Sequence, residues 1–135
     1  MIGAQVGALI YIGIAVFQCA AMLGAPAVGE YMQGGSVKGR LPRQRRAAAA
    51  VSALVLVLNA CAILGVTGTG PLAELESPWL ELLWWLTSAG AVVGAALNLA
   101  TRSRKERLVF GPLSLILLVI VRLVHLSWPP GVIQR

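Results

Sequence analysis

Residues 24–46 read GAPAVGEYMQGGSVKGRLPRQRR and connect two long apolar runs. The stretch holds one acid, Glu30, and five basic residues: Lys38, Arg40, Arg43, Arg45 and Arg46. A short connection with such an excess of Lys and Arg stays on the cytoplasmic side of a membrane. Its five glycines and two prolines exclude a continuous helix and favour a series of turns. We therefore expect the flanking runs to form a hairpin of helices whose connection faces the cytoplasm.

The composition is typical of a membrane protein. Of the 135 residues, 58% are hydrophobic and 12% are charged, and the mean hydropathy is +0.81. A soluble domain of this size could not bury so much apolar surface. The apolar residues form four blocks, and a helix of about 20 residues spans the roughly 30 Å core of a bilayer. We predict an all-α, four-helix transmembrane bundle of two hairpins, a single domain over 1–135, with both termini outside and spans at about 5–23, 47–66, 79–100 and 108–128.

The charged residues divide between the two sides of the predicted bundle. The second connection, TGTGPLAELESP at 67–78, holds Glu74 and Glu76 and no Lys or Arg, whereas the third, TRSRKER at 101–107, is basic. The formal charge of +6 therefore indicates a lipid bilayer as partner and not nucleic acid. Nine of the eleven basic residues lie in two connections, where we expect contact with anionic lipid head groups: Lys38, Arg40, Arg43, Arg45, Arg46, Arg102, Arg104, Lys105 and Arg107.

Polar residues at helical spacing indicate which faces point into the bundle. Tyr11 and Gln18 are seven residues apart and share one face of the first span, and Ser52 and Asn59 share one face of the second. An unpaired amide in hydrocarbon costs several kcal/mol by order of magnitude. We therefore expect Asn59 to have a hydrogen-bond partner on another helix.

The third span changes character along its length. Trp79, Trp84 and Trp85 lie near its outer end, where amphipathic rings occupy the head-group boundary. Further along, Gly90 and Gly94 have the GxxxG spacing that lets another helix approach closely. The sequence therefore predicts a helix-packing face on this span.

Arg122 lies in the fourth span, six residues before Trp128 and so roughly 9 Å below the outer boundary. An arginine at this depth snorkels or faces the protein interior, where it indicates a functional site. Two interpretations stay open. In one, a binding pocket in the outer half gathers six side chains, with Glu81 paired to Arg122: Tyr11, Asn59, Glu81, Ser88, Arg122 and His125. In the other, which we favour, they form interhelical hydrogen bonds of about 1 kcal/mol each beside a snorkelling arginine.

The chain shows no catalytic or metal-ligating pattern. Cys19 and Cys61 lie at different depths of the predicted bundle, so we interpret both as packing residues. His125 has no second ligand at a defined spacing and so indicates no haem, chlorophyll or metal site. No serine or threonine has a histidine or acid at an activating spacing. The sequence therefore indicates no cofactor, and it favours a binding or structural protein over an enzyme.

Two segments resemble a family of small bacterial integral membrane proteins with four predicted spans. The first has a Gly-Ala-Pro run, a Gly-Glu pair, a Gly-Gly pair and G-x-L-P-x-x-x-R; the second is N-L-x-S/T-x-S-x-x-E-R before a proline. The corresponding residues are Gly24, Ala25, Pro26, Gly29, Glu30, Gly34, Gly35, Gly39, Leu41, Pro42 and Arg46, then Asn98, Leu99, Thr101, Ser103, Glu106, Arg107 and Pro112. The resemblance implies a multi-pass protein of the bacterial plasma membrane and implies no activity.

Three functions follow from this interpretation, in order of preference. The first is an accessory or scaffolding subunit that packs laterally against a larger energy-converting or transport complex, or against itself, because the small-residue face of the third span favours a neighbour. The second is the binding or transport of a small lipophilic or amphipathic molecule in the outer-half polar pocket. The third is an enzyme that acts on a lipid or isoprenoid.

Overall fold

The computed structural model of the protein describes residues 2–31, 35 and 37–127. Its four long helices are α1 (Ile2–Leu23), α2 (Arg43–Gly65), α3 (Ser77–Ala100) and α4 (Arg104–Ser127), and a short 3₁₀ helix follows α1 at Pro26–Tyr31. All four long helices have the length and hydropathy to cross a membrane, so the predicted all-α class with four spans is confirmed. The end of the predicted fourth span at Trp128 and Gly34 of the family resemblance lie outside the described residues.

All four long helices begin earlier than the apolar blocks predicted, α3 by only two residues, at Ser77 instead of 79. The expected starts at about 5, 47 and 108 become Ile2, Arg43 and Arg104. The difference arises because hydropathy marks the part of a helix that lies in hydrocarbon, whereas the helical hydrogen bonds of α2 and α4 continue into their basic first turns. Long arginine side chains there can keep their charge in water while the helix enters the membrane.

Most basic residues lie at one end of the bundle, and three of the five acids lie at the other. We call the end at which α1 and α3 finish and α2 and α4 begin the basic end, since it carries the connections at 24–42 and 101–103. The other end, which carries Glu74, Glu76 and Glu81, is the acidic end. This separation of charge along the helix axes agrees with the predicted topology, and which end faces the cytoplasm stays a prediction.

Small residues bring α1 and α2 close together. Buried alanines lie at helical spacing on both helices, with Ala4, Ala8 and Ala15 on α1 and Ala53 and Ala60 on α2. Gly7 also lies here, because a Cβ at this position would stand 2.8 Å from Cδ1 of Ile63 on α2 and 3.0 Å from Cγ2 of Ile120 on α4. Small side chains allow close helix approach where lipid removes most of the hydrophobic driving force.

The connection at the basic end folds back onto the helices. Gly24 adopts φ +87° and turns the chain after α1, which a residue with a side chain would rarely do. The 3₁₀ helix then places Tyr31 against Phe17, with ring centroids 6.4 Å apart. Arg46 donates from Nε to the carbonyl oxygen of Met22 at 2.6 Å, which joins the start of α2 to the end of α1. The described residues between Gly24 and Pro42 thus form turns and a 3₁₀ helix, whereas residues 43–46, which were predicted to belong to the turns, form the first turn of α2.

α3 and α4 are joined near the acidic end by an aromatic contact. Trp84 is only 1% exposed, and its indole Nε1 donates to Nδ1 of His125 at 3.1 Å. Trp85 and Trp79 are exposed, as expected for rings at a membrane boundary. The expectation that all three tryptophans serve that boundary is wrong for Trp84. Its ring lies on the face of α3 that packs into the bundle, where its N–H has an acceptor.

α2 and α3 approach each other only towards the acidic end. There Leu80 packs against Gly65, and Thr87 Oγ1 donates to Asn59 Oδ1 at 3.1 Å. The predicted interhelical partner for Asn59 is thus confirmed. Towards the basic end the two helices separate, since a Cβ at Gly94 would meet no atom within 4 Å.

Candidate functional site

The separation of α2 and α3 leaves a groove of about 700 Å³. Its walls are α2 and α3, and its back is formed by α1 and α4. At the rim, Val51 of α2 is 63% exposed and Leu97 of α3 is 66% exposed, so the groove opens sideways between the two helices. The lining comes from all four helices and both basic-end connections: Tyr11, Ile14, Gln18, Tyr31, Val51, Ser52, Val55, Leu56, Asn59, Gly90, Ala91, Gly94, Leu97, Asn98, Ala100, Thr101, Glu106, Phe110, Ser114 and Leu117.

Polar side chains line the groove at two depths. Because α1 and α2 are antiparallel and Gly7 meets Ile63, Tyr11 lies level with Asn59 and Gln18 lies level with Ser52. Seven residues of helix separate the two levels, or about 10 Å along the axis. We call Tyr11 and Asn59 the deep tier, and Gln18 and Ser52 the shallow tier, which is nearer the basic end.

Two lining residues hold buried oxygen atoms without hydrogen bonds. The hydroxyl of Tyr11 and Oε1 of Gln18 have no partner among the described residues. A buried polar group without a partner costs about 1–3 kcal/mol, and such groups are rare in proteins. The back of the groove therefore carries hydrogen-bonding capacity that the four helices themselves do not use.

The amide of Asn59 is oriented by its neighbour on α3. Since Oδ1 accepts from Thr87, the amide is left with its Nδ2 donors. Nδ2 lies 3.9 Å from the position that a Cβ would take at Gly90, on the wall of the groove. The deep tier thus presents donor groups, and the small residues of α3 leave space beside them.

At the basic end the groove is bordered by Tyr31, Thr101 and Glu106. Thr101 Oγ1 donates to Oε2 of Glu106 at 2.6 Å, and the backbone N–H of Glu106 donates to Oγ of Ser103 at 3.2 Å, as in a helix N-cap. Lys105 Nζ lies 5.5 Å from the centroid of the Tyr31 ring. Of the described residues that line the groove, Glu106 alone carries a formal charge.

The structure does not gather the six predicted pocket residues at one place. Tyr11 and Asn59 line the groove. Oγ of Ser88 is buried without a hydrogen bond, and Ser88 is not part of the lining. Glu81 accepts a hydrogen bond from Nε1 of Trp85 at 3.4 Å, near the acidic end. The six predicted residues are therefore divided: two lie in the groove, Glu81, Arg122 and His125 lie towards the acidic end, and Ser88 belongs to neither group.

The acidic-end group is centred on His125. Its ring is nearly parallel to that of Trp84 and lies 5.4 Å from that of Trp85, measured between centroids. Arg122 is exposed and forms no ion pair with Glu81 or any other described residue. The side of α4 that packs inward carries residues such as Leu117, Val121 and Val124, and Arg122 lies off that stripe. This position is the one expected for a snorkelling arginine.

Gly90 and Gly94, predicted as a helix-packing pair, lie on the wall of the groove. Gly90 comes near Asn59 Nδ2, and no atom lies within 4 Å of a Cβ built at Gly94. No helix of the described chain packs against Gly94. Gly90 and Gly94 therefore form part of the groove surface.

The basic residues predicted to contact lipid head groups stay at the basic end. Arg46 and Lys105 have the contacts given above. Most of the remainder are exposed: Lys38, Arg40, Arg43, Arg102, Arg104 and Arg107. Arg45 is half-buried. Their positions leave the predicted lipid contacts available, and those contacts stay a prediction.

Sequence reasoning did not identify Gln18, Ser52, Asn98, Thr101 and Glu106 as site residues. The available signal was the seven-residue spacing within the pairs Tyr11/Gln18 and Ser52/Asn59, which placed each pair on one face. What the spacing could not show is that the two faces border the same cavity. Within the described residues, no group of three His, Cys, Asp or Glu side chains is arranged to hold a metal ion.

Comparisons of the chain with protein-family models, with curated proteins and with solved structures find no match.

Proposed function

We propose that the protein binds a lipophilic or amphipathic small molecule of the membrane in the groove between α2 and α3. The observation that carries this proposal is a sideways-open cavity of about 700 Å³ with polar side chains along its back. Sites for small molecules typically enclose about 300–1,000 Å³ and combine apolar walls with a few polar groups. The binding site lies towards the basic end, unlike the outer-half pocket expected from the sequence.

The energetic argument rests on the back of the groove. The Tyr11 hydroxyl and the Gln18 amide oxygen are buried within membrane-spanning helices and have no partner in the described chain. In hydrocarbon such groups cannot exchange a protein partner for bulk water. A ligand that supplies the missing hydrogen bonds would offset their cost, and its apolar part would contact the walls formed by Val55 and Leu97.

A pair of glycine variants tests the proposal. Gly94→Phe places a ring inside the groove, where the open space around Gly94 tolerates it without a shift of neighbouring helices. Gly13→Phe is the matched control, because Gly13 also has open space around it but does not line the groove. Each protein is purified in a mild detergent, and the lipophiles that it retains are extracted and quantified.

We expect the wild type and Gly13→Phe to retain one class of lipophile in stoichiometric amount and Gly94→Phe to lose it. Equal retention by Gly94→Phe and Gly13→Phe would show that the groove is not the binding site. A circular dichroism spectrum of each variant establishes that the helices are intact before the comparison is made.

The second candidate function is the accessory role, in which a helix of a larger membrane complex packs on this protein. Its supporting observation is the unpartnered surface at Gly94, since small residues at GxxxG spacing are common where helices cross closely. A partner helix in the groove would exclude a small molecule. Co-migration of larger subunits with the wild type, and their loss in Gly94→Phe but not in Gly13→Phe, would favour this role.

We propose that the protein lies in the plasma membrane of a bacterium with its basic end in the cytoplasm. The collection of basic residues at one end supports this orientation through the positive-inside rule. The resemblance of the segments at 24–46 and 98–112 to bacterial four-span proteins supports the location.

A further inference from the structure

We infer that the ligand of the groove is an uncharged lipophile whose polar end is a carbonyl of the quinone type, held within the hydrocarbon core of the membrane by Tyr11 and Asn59. This inference rests on the proposed function and names the chemical class of the ligand. Three features of the groove lead to it: the charge of its lining, the donors of the deep tier, and the depth of that tier.

The lining contains no group that could neutralise an anionic ligand. Among the described residues it holds one charged side chain, the Glu106 carboxylate, and neither lysine nor arginine. The basic residues that surround this end of the bundle lie outside the groove. Burial of an unpaired charge is costly. An anionic lipid head group therefore fits the outer basic surface and does not fit the groove.

The deep tier favours an acceptor on the ligand. Asn59 Oδ1 is already occupied by the hydroxyl of Thr87, so the amide has its Nδ2–H groups left to donate. The Tyr11 hydroxyl, level with it on α1, also has a proton to donate and makes no hydrogen bond within the described chain. A carbonyl oxygen has two lone pairs and can accept from both side chains.

The depth of this tier distinguishes a lipophilic ketone or quinone from a glycerolipid. Tyr11 is the tenth of the 22 residues of α1, and Asn59 is the seventeenth of the 23 residues of α2. The deep tier thus lies about 9 to 14 Å from the helix ends at the acidic end of the bundle and further than that from the basic end. The ester carbonyls of a glycerolipid lie near the head groups, whereas a quinone ring carried on an apolar tail can reach this depth.

The shallow tier would form hydrogen bonds with the second carbonyl of such a ring or with another polar substituent. Gln18 and Ser52 lie about 10 Å nearer the basic end than the deep tier. A ligand with a carbonyl at each side of its ring therefore has polar partners in both directions, and its tail leaves through the opening at Val51 and Leu97. No electron or proton transfer is part of this proposal.

The test uses three probes that each carry a decyl tail on a six-membered carbon ring: 2-decyl-1,4-benzoquinone, decylbenzene and 4-decylbenzoate. The first adds carbonyls, the second adds no polar group, and the third adds a carboxylate. Wild-type protein and variants in lipid nanodiscs are equilibrated with each probe, and the amount bound above that in protein-free nanodiscs is measured by mass spectrometry. We expect saturable binding of the quinone and much weaker binding of the other two.

Two variants examine the deep tier. Tyr11→Phe removes only the unpartnered hydroxyl, so it should leave stability unchanged or slightly higher and weaken quinone binding between about twofold and tenfold. Asn59→Leu removes the amide donors and should have an effect of similar size. Ser88→Ala is the matched control, because it also removes a buried hydroxyl without a partner but lies outside the lining. It should leave quinone binding unchanged.

The outcomes show whether the carbonyl assignment alone fails or the groove itself is not the binding site. Stronger binding of 4-decylbenzoate, or equal binding of decylbenzene and the quinone, would overturn the carbonyl assignment. So would quinone binding that Tyr11→Phe and Asn59→Leu leave unaffected. If Gly94→Phe still abolishes retention of the native lipophile in those cases, the groove remains the binding site. If Gly94→Phe retains it, the proposed function falls as well.

Discussion

The hydrogen bond between Thr87 and Asn59 marks the point at which α2 and α3 part, and its strength can be predicted. Thr87 is 1% exposed, and its Oγ1 donates to Asn59 Oδ1 at 3.1 Å. We consider Thr87→Val, which removes the donor with little change in shape, and Asn59→Leu, which removes the acceptor. The double variant completes a cycle that isolates the interaction between the two side chains.

The magnitude follows from the membrane setting. Interhelical hydrogen bonds in membrane proteins average about 0.6 kcal/mol in double-mutant cycles, with a maximum of about 1.7 kcal/mol. The bond joins two uncharged groups at ordinary length, and the donor is fully buried, so we expect a coupling of about 1 kcal/mol. Asn59→Leu should cost less than Thr87→Val, because a threonine that loses its partner can donate to the carbonyl four residues earlier in its own helix.

Unfolding of the purified protein in mixed micelles of a mild detergent and sodium dodecyl sulfate, followed by circular dichroism, measures the coupling. The control cycle pairs Asn59→Leu with Ser127→Ala, because Ser127 Oγ donates to the carbonyl oxygen of Val124 within α4 and Ser127 does not line the groove. We expect additive effects there. Effects of Thr87→Val and Asn59→Leu that add within about 0.3 kcal/mol would refute the interhelical bond.

Two further predictions concern the basic end and the orientation of the bundle. Arg46→Ala should lower the free energy of unfolding by about 1 kcal/mol in the same assay, since it removes the hydrogen bond to the carbonyl oxygen of Met22. Arg43→Ala, the control, should change the free energy of unfolding little. Equal effects of the two variants would show that the hydrogen bond does not contribute to stability. In cells that express a cysteine-free background, a membrane-impermeant maleimide should label Glu74→Cys in intact cells and Lys38→Cys only after permeabilisation. The reverse pattern would invert the proposed topology.

Hydropathy predicted the number of helices correctly, and the positions of the charged residues predicted that basic and acidic residues gather at different ends. Neither property depends on how the helices pack together. A stretch that can cross the bilayer must be apolar and must satisfy its own backbone, whatever packs beside it. Asn59 was likewise predictable, since its amide requires a partner at that depth. The same argument could not name Thr87, because several hydroxyl groups lie at comparable positions on the other helices.

The rotation of each helix was harder to predict. In a soluble helix the buried face is the apolar one, but lipid-facing and buried residues of a membrane helix are similarly apolar. Arg122 and Trp84 show the consequence. Arg122 was a candidate pocket residue and is exposed on α4, whereas Trp84 was assigned to the membrane boundary and is buried on α3. Both outcomes depend on which side of a helix faces its neighbours.

The groove itself depends on packing that no single helix reveals. Buried alanines occur along both α1 and α2, and the hydrogen bond from Trp84 to His125 joins α3 to α4. The contact between the two hairpins at the α2–α3 side is concentrated near Gly65 and Asn59. The sequence contains these residues, but the angle between the hairpins emerges only from their combined contacts.

The alanine interface of α1 and α2 also bears on how the protein is made. Each of these helices is complete in the first half of the chain, and the partners that hold them together lie within residues 2–65. A nascent chain can therefore assemble its first hairpin in the bilayer while the ribosome is still translating α3 and α4. The second hairpin then docks against the assembled first hairpin. A mutation such as Gly7→Leu, which crowds both Ile63 of α2 and Ile120 of α4, should disturb both steps and increase degradation by membrane proteases.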